Sequence, residues 1–223
     1  MAKLFAGPED RRINRALCIV AHPDDIEYYC AGVVLLMARH GGVVDFVLAT
    51  SGDKGARDVS KSRPKVARIR EREQELAADV LGVKRVAFLR HADAEVVESL
   101  ELREEFVREI RITKPDVLLT FDPNMPYRSH PDHRVVGRVA LDAAWPSARD
   151  PLTFPKAGPP HETAEAWCFG GLQHTLEIDV ADVLTKKIEA RLAHSSQTPS
   201  PAALMRRWRA IARVEKFHQV NLR

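Results

Sequence analysis

Most of the residues able to do chemistry lie in two short stretches. One is His22-Pro-Asp-Asp25 within AHPDDIE, and the other is His130-Pro-Asp-His133 within SHPDH. In each, proline suits the first turn of a helix, and residues three apart then share one face. His22 and Asp25 accordingly point the same way, with His133 arriving from the second stretch. Two imidazoles and one carboxylate make a three-ligand site for a divalent metal with one position open, which a catalytic zinc keeps for water. Asp24 lies one residue off the ligand face, so it can reach that water without holding the metal. A helix cap by itself accounts for a single aspartate at such a turn. Two histidine-proline-aspartate turns in one chain favour the metal. Glu27 needs no more than the attraction of a carboxylate to a helix start.

The elements that position these turns follow from hydrophobic patterning. ALCIVA (16–21) is a continuous apolar run, as expected of a strand buried on both faces. A helix is predicted from about 27 to 40, ended by Gly41-Gly42. VDFVLAT (44–50) reads as a second strand. Val66, Ile69, Leu76 and Val80 keep helical spacing over 64–81, with Gly82 closing the helix. RVAFL (85–89), residues 99–113 and DVLLTF (116–121) read as strand, helix and strand. This alternation predicts an α/β fold, a mostly parallel sheet with helices on both faces. Ligands of such sheets bind at the carboxyl ends of the strands, and AHPDDIE sits at one such end. Residues 145–165, rich in Pro and Gly, read as a long loop or lid, and about 145–175 as a loop that shapes the substrate site. A late strand (174–180) and two helices (about 181–194 and 201–217) complete the chain, read as one domain over 1–223.

AHPDDIE with the later HPDH resembles the LmbE-like, or PIG-L, family of zinc-dependent N-acetylglucosaminyl deacetylases, over residues 16 to about 145. The resemblance implies a Rossmann-like fold and an amino-sugar substrate. It assigns one zinc to His22, Asp25 and His133, the general base to Asp24, and oxyanion stabilisation to His130. IREREQELAADVLG (69–82) resembles the family helix with an R-x-x-E element, Arg70 and Glu73, in which Arg70 would touch the sugar. RHADAEV (90–96) resembles the family's P-D-G-x-L segment, with Ala92 and Ala94 replacing proline and glycine, and Asp93 would bind a sugar hydroxyl. His194 with Ser195 and Gln197 resembles a late H-S-Q element that helix-end capping explains as well. Tyr127 and His91 stay without a role.

Composition narrows the alternatives. The 34 basic and 31 acidic residues leave a net charge of +3, too balanced for a nucleic-acid partner. RRINR (11–15) and RRWR (206–209) read as solvated faces. The longest apolar run, AGVVLLMA (31–38), falls short of the ~20 residues of a membrane span. No charged-then-apolar leader opens the chain. Cys18, Cys30 and Cys168, odd in number and in apolar surroundings, read as buried thiols. The expectation is a cytoplasmic enzyme acting on a small molecule, with a homo-oligomer left open. The same ligand set also suits iron(II), so a non-haem iron(II) oxygenase is one alternative. A non-catalytic metal- or sugar-binding protein is another. No G-x-G-x-x-G follows the first strand, which speaks against a dinucleotide enzyme.

Overall fold

The structure, a computed structural model, describes residues 13–56, 58, 60–125, 127 and 129–223. Arg11 and Arg12 of the first basic cluster lie outside these. Seven strands form one sheet among the described residues: β1 (Arg15–Val20), β2 (Val43–Thr50), β3 (Arg85–His91), β4 (Val117–Phe121), β5 (Glu165–Phe169), β6 (Leu176–Asp179) and β7 (Val214–Asn221). Their order is β3-β2-β1-β4-β5-β7-β6. The first five run parallel, and β7 is antiparallel to both neighbours. The apolar run of β1 is explained by its central place: Leu17 to Val20 are fully buried between helices.

The helices are α1 (Asp25–Tyr29), α2 (Ala31–Arg39), α3 (Arg63–Leu81), α4 (Leu100–Thr113), α5 (Pro131–Asp142), α6 (Leu184–Ala193) and α7 (Pro201–Ile211). Helices α2, α3 and α6 pack together on one face of the sheet, and α4 with α5 on the other. The expected single helix over 27–40 is divided at Cys30, whose backbone leaves the helical region. None of the described helices is long and apolar enough to cross a membrane. Gly137 lets α5 lie against the end of β4, because a Cβ there would come within 2.4 Å of the Phe121 carbonyl oxygen. That close approach brings the second histidine-proline-aspartate turn onto the sheet.

Three expectations need correction. Residues 165–169, expected within the long loop, form β5, a fully buried strand beside β4. The helix expected over 201–217 ends at Ile211, and its last residues belong to β7. The remainder of the 145–175 segment is divided between opposite ends of the sheet. Arg111, at the end of α4, donates to the carbonyls of Ser147, Ala148, Asp150, Thr153, Phe154 and Gly158 at 2.7–3.1 Å. It is almost fully buried. A buried guanidinium must find acceptors, and here the chain wraps around it. His161 adds a bond to the carbonyl of Pro115, just before β4. Residues 147–161 are therefore fixed at the amino ends of the strands, away from the two motifs. Only the turn after β5, from Gly170 onward, reaches the carboxyl ends.

Candidate metal centre and active site

The first turn leaves β1 through Ala21, whose carbonyl accepts both the N–H and the hydroxyl of Thr50 on β2 at 2.9 Å. Asp24 then takes a left-handed conformation, φ 89°, which costs a non-glycine residue about 1–2 kcal/mol. Its N–H is satisfied by Gln74 Oε1 of α3 at 3.0 Å. The kink starts α1 at Asp25 and returns that carboxylate to its own turn: the His22 N–H donates to Asp25 Oδ2 at 2.7 Å. The second turn sits between β4 and α5. His130 precedes the helix, and its Nδ1 accepts the Asp132 N–H at 3.3 Å. The His133 ring stacks on Phe121, with centroids 4.0 Å apart and planes 12° from parallel.

The donor atoms of His22, Asp25 and His133 converge. His22 Nδ1 lies 3.2 Å from His133 Nε2, Asp25 Oδ1 3.2 Å from His133 Nε2, and Asp25 Oδ2 3.5 Å from His22 Nδ1. A tetrahedral zinc with bonds of ~2.0–2.1 Å spaces its ligands about 3.3 Å apart, so the three separations fit a single cation. The tautomer of His22 fits as well. Its Nε2 faces Asp132 Oδ2 at 3.1 Å and Asp93 Oδ1 at 3.2 Å. Carboxylates there favour a proton on Nε2, which leaves the Nδ1 lone pair available to a cation. Burial opposes charge on His22, yet Asp132, Asp25 and Asp93 together push the imidazole up to about 11. Burial likewise opposes charge on Asp25, and His133 and His22 nevertheless hold it well below the usual carboxylate range. The cluster favours positive charge at its centre.

Asp24 is set apart from this cluster. Its carboxylate oxygens face Arg70 Nη2 at 3.3 Å and Arg191 Nη2 at 3.2 Å. Burial raises its pKa, with neighbouring Asp25 adding to the rise, against the pull of Arg70 and Arg191. His130 stays partly exposed, and its ring meets His22 edge-on at 4.5 Å. Burial, together with His22, lowers its pKa. With Nδ1 accepting from the backbone, the neutral ring carries its proton on Nε2 as a donor.

Arg70 and Asp93, expected at the sugar, are each only 5% exposed and are directed inward. Arg70 donates to the carbonyls of Gly52 and Pro23 and to Asp24. Asp93 accepts from the Lys54 N–H at 3.1 Å and faces His22. Burial opposes charge on Asp93, but His22 holds it at about 2. Ala94 adopts φ 62°, the left-handed conformation that suits the glycine of the family segment, and its N–H donates to Asp132 at 2.8 Å. The loop therefore closes on Asp132 despite the alanine. Tyr127 is fully exposed, and His91 pairs with Glu105 at 2.6 Å.

Several residues close to the site went unnoticed in the sequence. Asp132 is the middle residue of the second motif, and the parallel with Asp24 was the available signal. Gln74 joins the Asp24 N–H to Glu27, donating to Glu27 Oε1 at 2.9 Å. Glu27 Oε2 lies 3.1 Å from His194 Nε2, with both side chains fully buried. Glu27 thus does more than complement a helix start, and His194 more than end one. Ser195 and Ser196 dock on Glu73 at 2.7–2.9 Å. Arg191 carries no local motif at all.

Residues 17–144 match the family model described as PIG-L, GlcNAc-PI de-N-acetylase. The chain belongs to this family. Among curated PIG-L relatives, the diacetylchitobiose deacetylase of Thermococcus kodakarensis is 31% identical over 200 residues, covering 84% of this chain and 71% of that protein. The solved N,N'-diacetylchitobiose deacetylase of Pyrococcus horikoshii, in complex with an inhibitor, superposes with a TM-score of 0.86 at 28% identity, over 94% of this chain and 84% of that one. The fold is shared more widely than the reaction. GalB, the 4-carboxy-2-hydroxymuconate hydratase of Pseudomonas putida KT2440, has a TM-score of 0.78 at 18% identity, over 94% of this chain and 96% of that one. Fold alone does not select the chemistry, so the PIG-L residues must carry it.

Proposed function

We propose that this protein is a zinc-dependent N-deacetylase that removes acetyl from an N-acetylated amino sugar or its conjugate. The observation that carries the reading is Asp24, a carboxylate excluded from the three-donor cluster yet held beside it by Arg70 and Arg191. A site that merely stores a metal has no use for it. Relatives that deacetylate diacetylchitobiose support the substrate class.

His22, Asp25 and His133 would hold the zinc, which supplies a water of pKa near ~7 and polarisation of the amide carbonyl. Asp24, its pKa raised by burial, accepts a proton from the water as the oxygen attacks the carbonyl carbon. The Nε2–H of His130 donates to the carbonyl oxygen as negative charge develops there. Asp24 then returns the proton to the amine nitrogen as the C–N bond breaks, giving acetate and a free amine. Arg70 and Arg191 keep the carboxylate oriented. Asp93 and Asp132 act through His22, so Arg70 and Asp93 serve the reacting groups rather than the sugar directly. The three cysteines are buried and unpaired, in keeping with a reducing cytoplasm.

Metal analysis of the purified protein, paired with acetate release from N-acetylglucosamine conjugates, tests this. Bound zinc or iron(II) with stoichiometric acetate is the expected result. A metal-loaded protein that releases no acetate from any N-acetylated amino sugar overturns the reading.

A further inference from the structure

Gln74 on α3, Glu27 on α1 and His194 just after α6 are each 0% exposed, so no substrate can touch them. They form a chain that ends on Asp24. His194 Nε2 lies 3.1 Å from Glu27 Oε2, Gln74 Nε2 donates to Glu27 Oε1 at 2.9 Å, and Gln74 Oε1 accepts the Asp24 N–H at 3.0 Å. Nδ1 of His194 has no hydrogen-bond partner among the described residues. A buried ring nitrogen left unpaired costs stability, so packing alone is a poor reason for a histidine there. Glu27 is the ion-pair partner that accounts for it.

The direction of the chain follows from the chemistry of its members. A glutamine amide can turn either its oxygen or its NH2 to a neighbour, and the surrounding network decides which. The Asp24 N–H needs the oxygen. A carboxylate only accepts, so Glu27 draws the NH2 of Gln74 to itself and turns the oxygen toward Asp24. Glu27 is cut off from water, and a buried charge needs a partner. His194 supplies one at the other oxygen. The backbone served in this way is the strained one, Asp24 at φ 89°. That left-handed turn is what carries its carboxylate out to Arg70 and Arg191.

We propose that Glu27 and His194 are positioning residues for Asp24: together they fix the amide of Gln74, and through it the turn that aims the Asp24 carboxylate. The proposal rests on the deacetylase reading, in which Asp24 is the base, and adds two residues that touch neither metal nor substrate. It also gives the end of α6 a part in the reaction, since Arg191 reaches the same carboxylate from one turn earlier.

The test replaces both members of the pair by leucine in the metal-loaded protein. Glu27→Leu alone strands a buried imidazole, whereas an apolar pair in place of a buried ion pair is often neutral to stability. The variant Glu27→Leu/His194→Leu should therefore melt near the wild type and keep its metal, with KM unchanged and kcat about tenfold lower. Adding Gln74→Leu should cost nothing further, because members of one hydrogen-bonded chain are not additive. Wild-type kcat in the leucine pair overturns the proposal and makes the pair structural only. A further fall of about tenfold on adding Gln74→Leu also overturns it, since Glu27 and Gln74 would then act independently. If the leucine pair does not fold, exchange of the Asp24 amide proton, followed by NMR, decides. Glu27→Gln is nearly isosteric and lets the Gln74 amide take either orientation, so exchange that is slow in the wild type should quicken there. Fast exchange in the wild type, or no change in Glu27→Gln, refutes the proposal. If no N-acetylated amino sugar releases acetate, the deacetylase reading fails by itself, and the same exchange measurement decides whether the pair holds Asp24.

Discussion

The two histidine-proline-aspartate turns share three residues and end in different conformations. In the first, helix α1 begins only at Asp25, after Asp24 has turned left-handed. The middle aspartate is thereby thrown outward to Arg70 and Arg191. In the second, α5 begins at Pro131, so Asp132 falls inside the first helical turn and is 1% exposed, facing His22. The leading histidines diverge in the same way, His22 buried among three carboxylates and His130 partly open. A two-residue difference in where the helix starts thus leaves one tripeptide with a buried histidine and its middle carboxylate on two arginines. It leaves the other with a partly open histidine and its middle carboxylate facing His22.

The strongest way to break this comparison is to remove a ligand. Asp25→Ala, like His133→Ala, should leave the purified protein without bound metal and with no detectable acetate release, read by metal content per chain. Asp24→Asn should keep the metal and lower kcat by ~10²–10⁴, the usual contribution of a general base. If Asp24→Asn loses metal while Asp25→Ala keeps it, the roles of the adjacent aspartates are exchanged. His130→Ala should also keep the metal, with kcat falling by roughly 10²–10³ as an oxyanion donor is lost. An unchanged kcat there would remove His130 from the reaction.

The remaining tests concern side chains that act through others. Asp132→Asn should weaken metal affinity about 10–100-fold, as loss of a carboxylate behind a ligating histidine does. A chelator titration measures it, and wild-type affinity would show that Asp93 alone suffices to orient His22. Gln74→Leu should have the smallest effect. It leaves the buried Asp24 N–H without its acceptor, a loss of ~1–3 kcal/mol. Part of that should appear as a fall of about tenfold in kcat with metal content unchanged. A fall in thermal stability with wild-type kcat would make Gln74 structural only.

How much of this was legible depended on how local the signal was. The strands β1, β2 and β4 were readable because burial on both faces leaves unbroken apolar runs. Strand β5, EAWCF, is just as buried, but it begins with Glu165 and lies between Pro- and Gly-rich neighbours, so nothing in its own five residues marks it. Strand β7 alternates buried and more exposed positions at the end of a helical pattern, and that alternation has meaning only once β5 and β6 lie on either side. In the site, the two motifs name the residues that converge, His22, Asp25 and His133, but the first is closed by the left-handed Asp24 and not by a helix begun at Pro23. Gln74, Arg191 and His194 reach Asp24 and Glu27 from α3 and the α6 region, 47 or more residues away, and no spacing rule links them.

The sequence by itself therefore determined that two stretches rich in metal-ligating side chains follow β1 and β4, because their composition is local. It also determined the parallel core, because apolar runs report burial directly. Only the tertiary structure decided which aspartate faces the open side and which carboxylates orient His22. It alone placed Arg70 on Asp24, and the 147–161 segment around Arg111 at the far end of the sheet. Those outcomes depend on charges and hydrogen-bond donors meeting across elements distant in the chain. A buried charge takes whichever partner the packing brings to it, and the packing is a property of the whole fold.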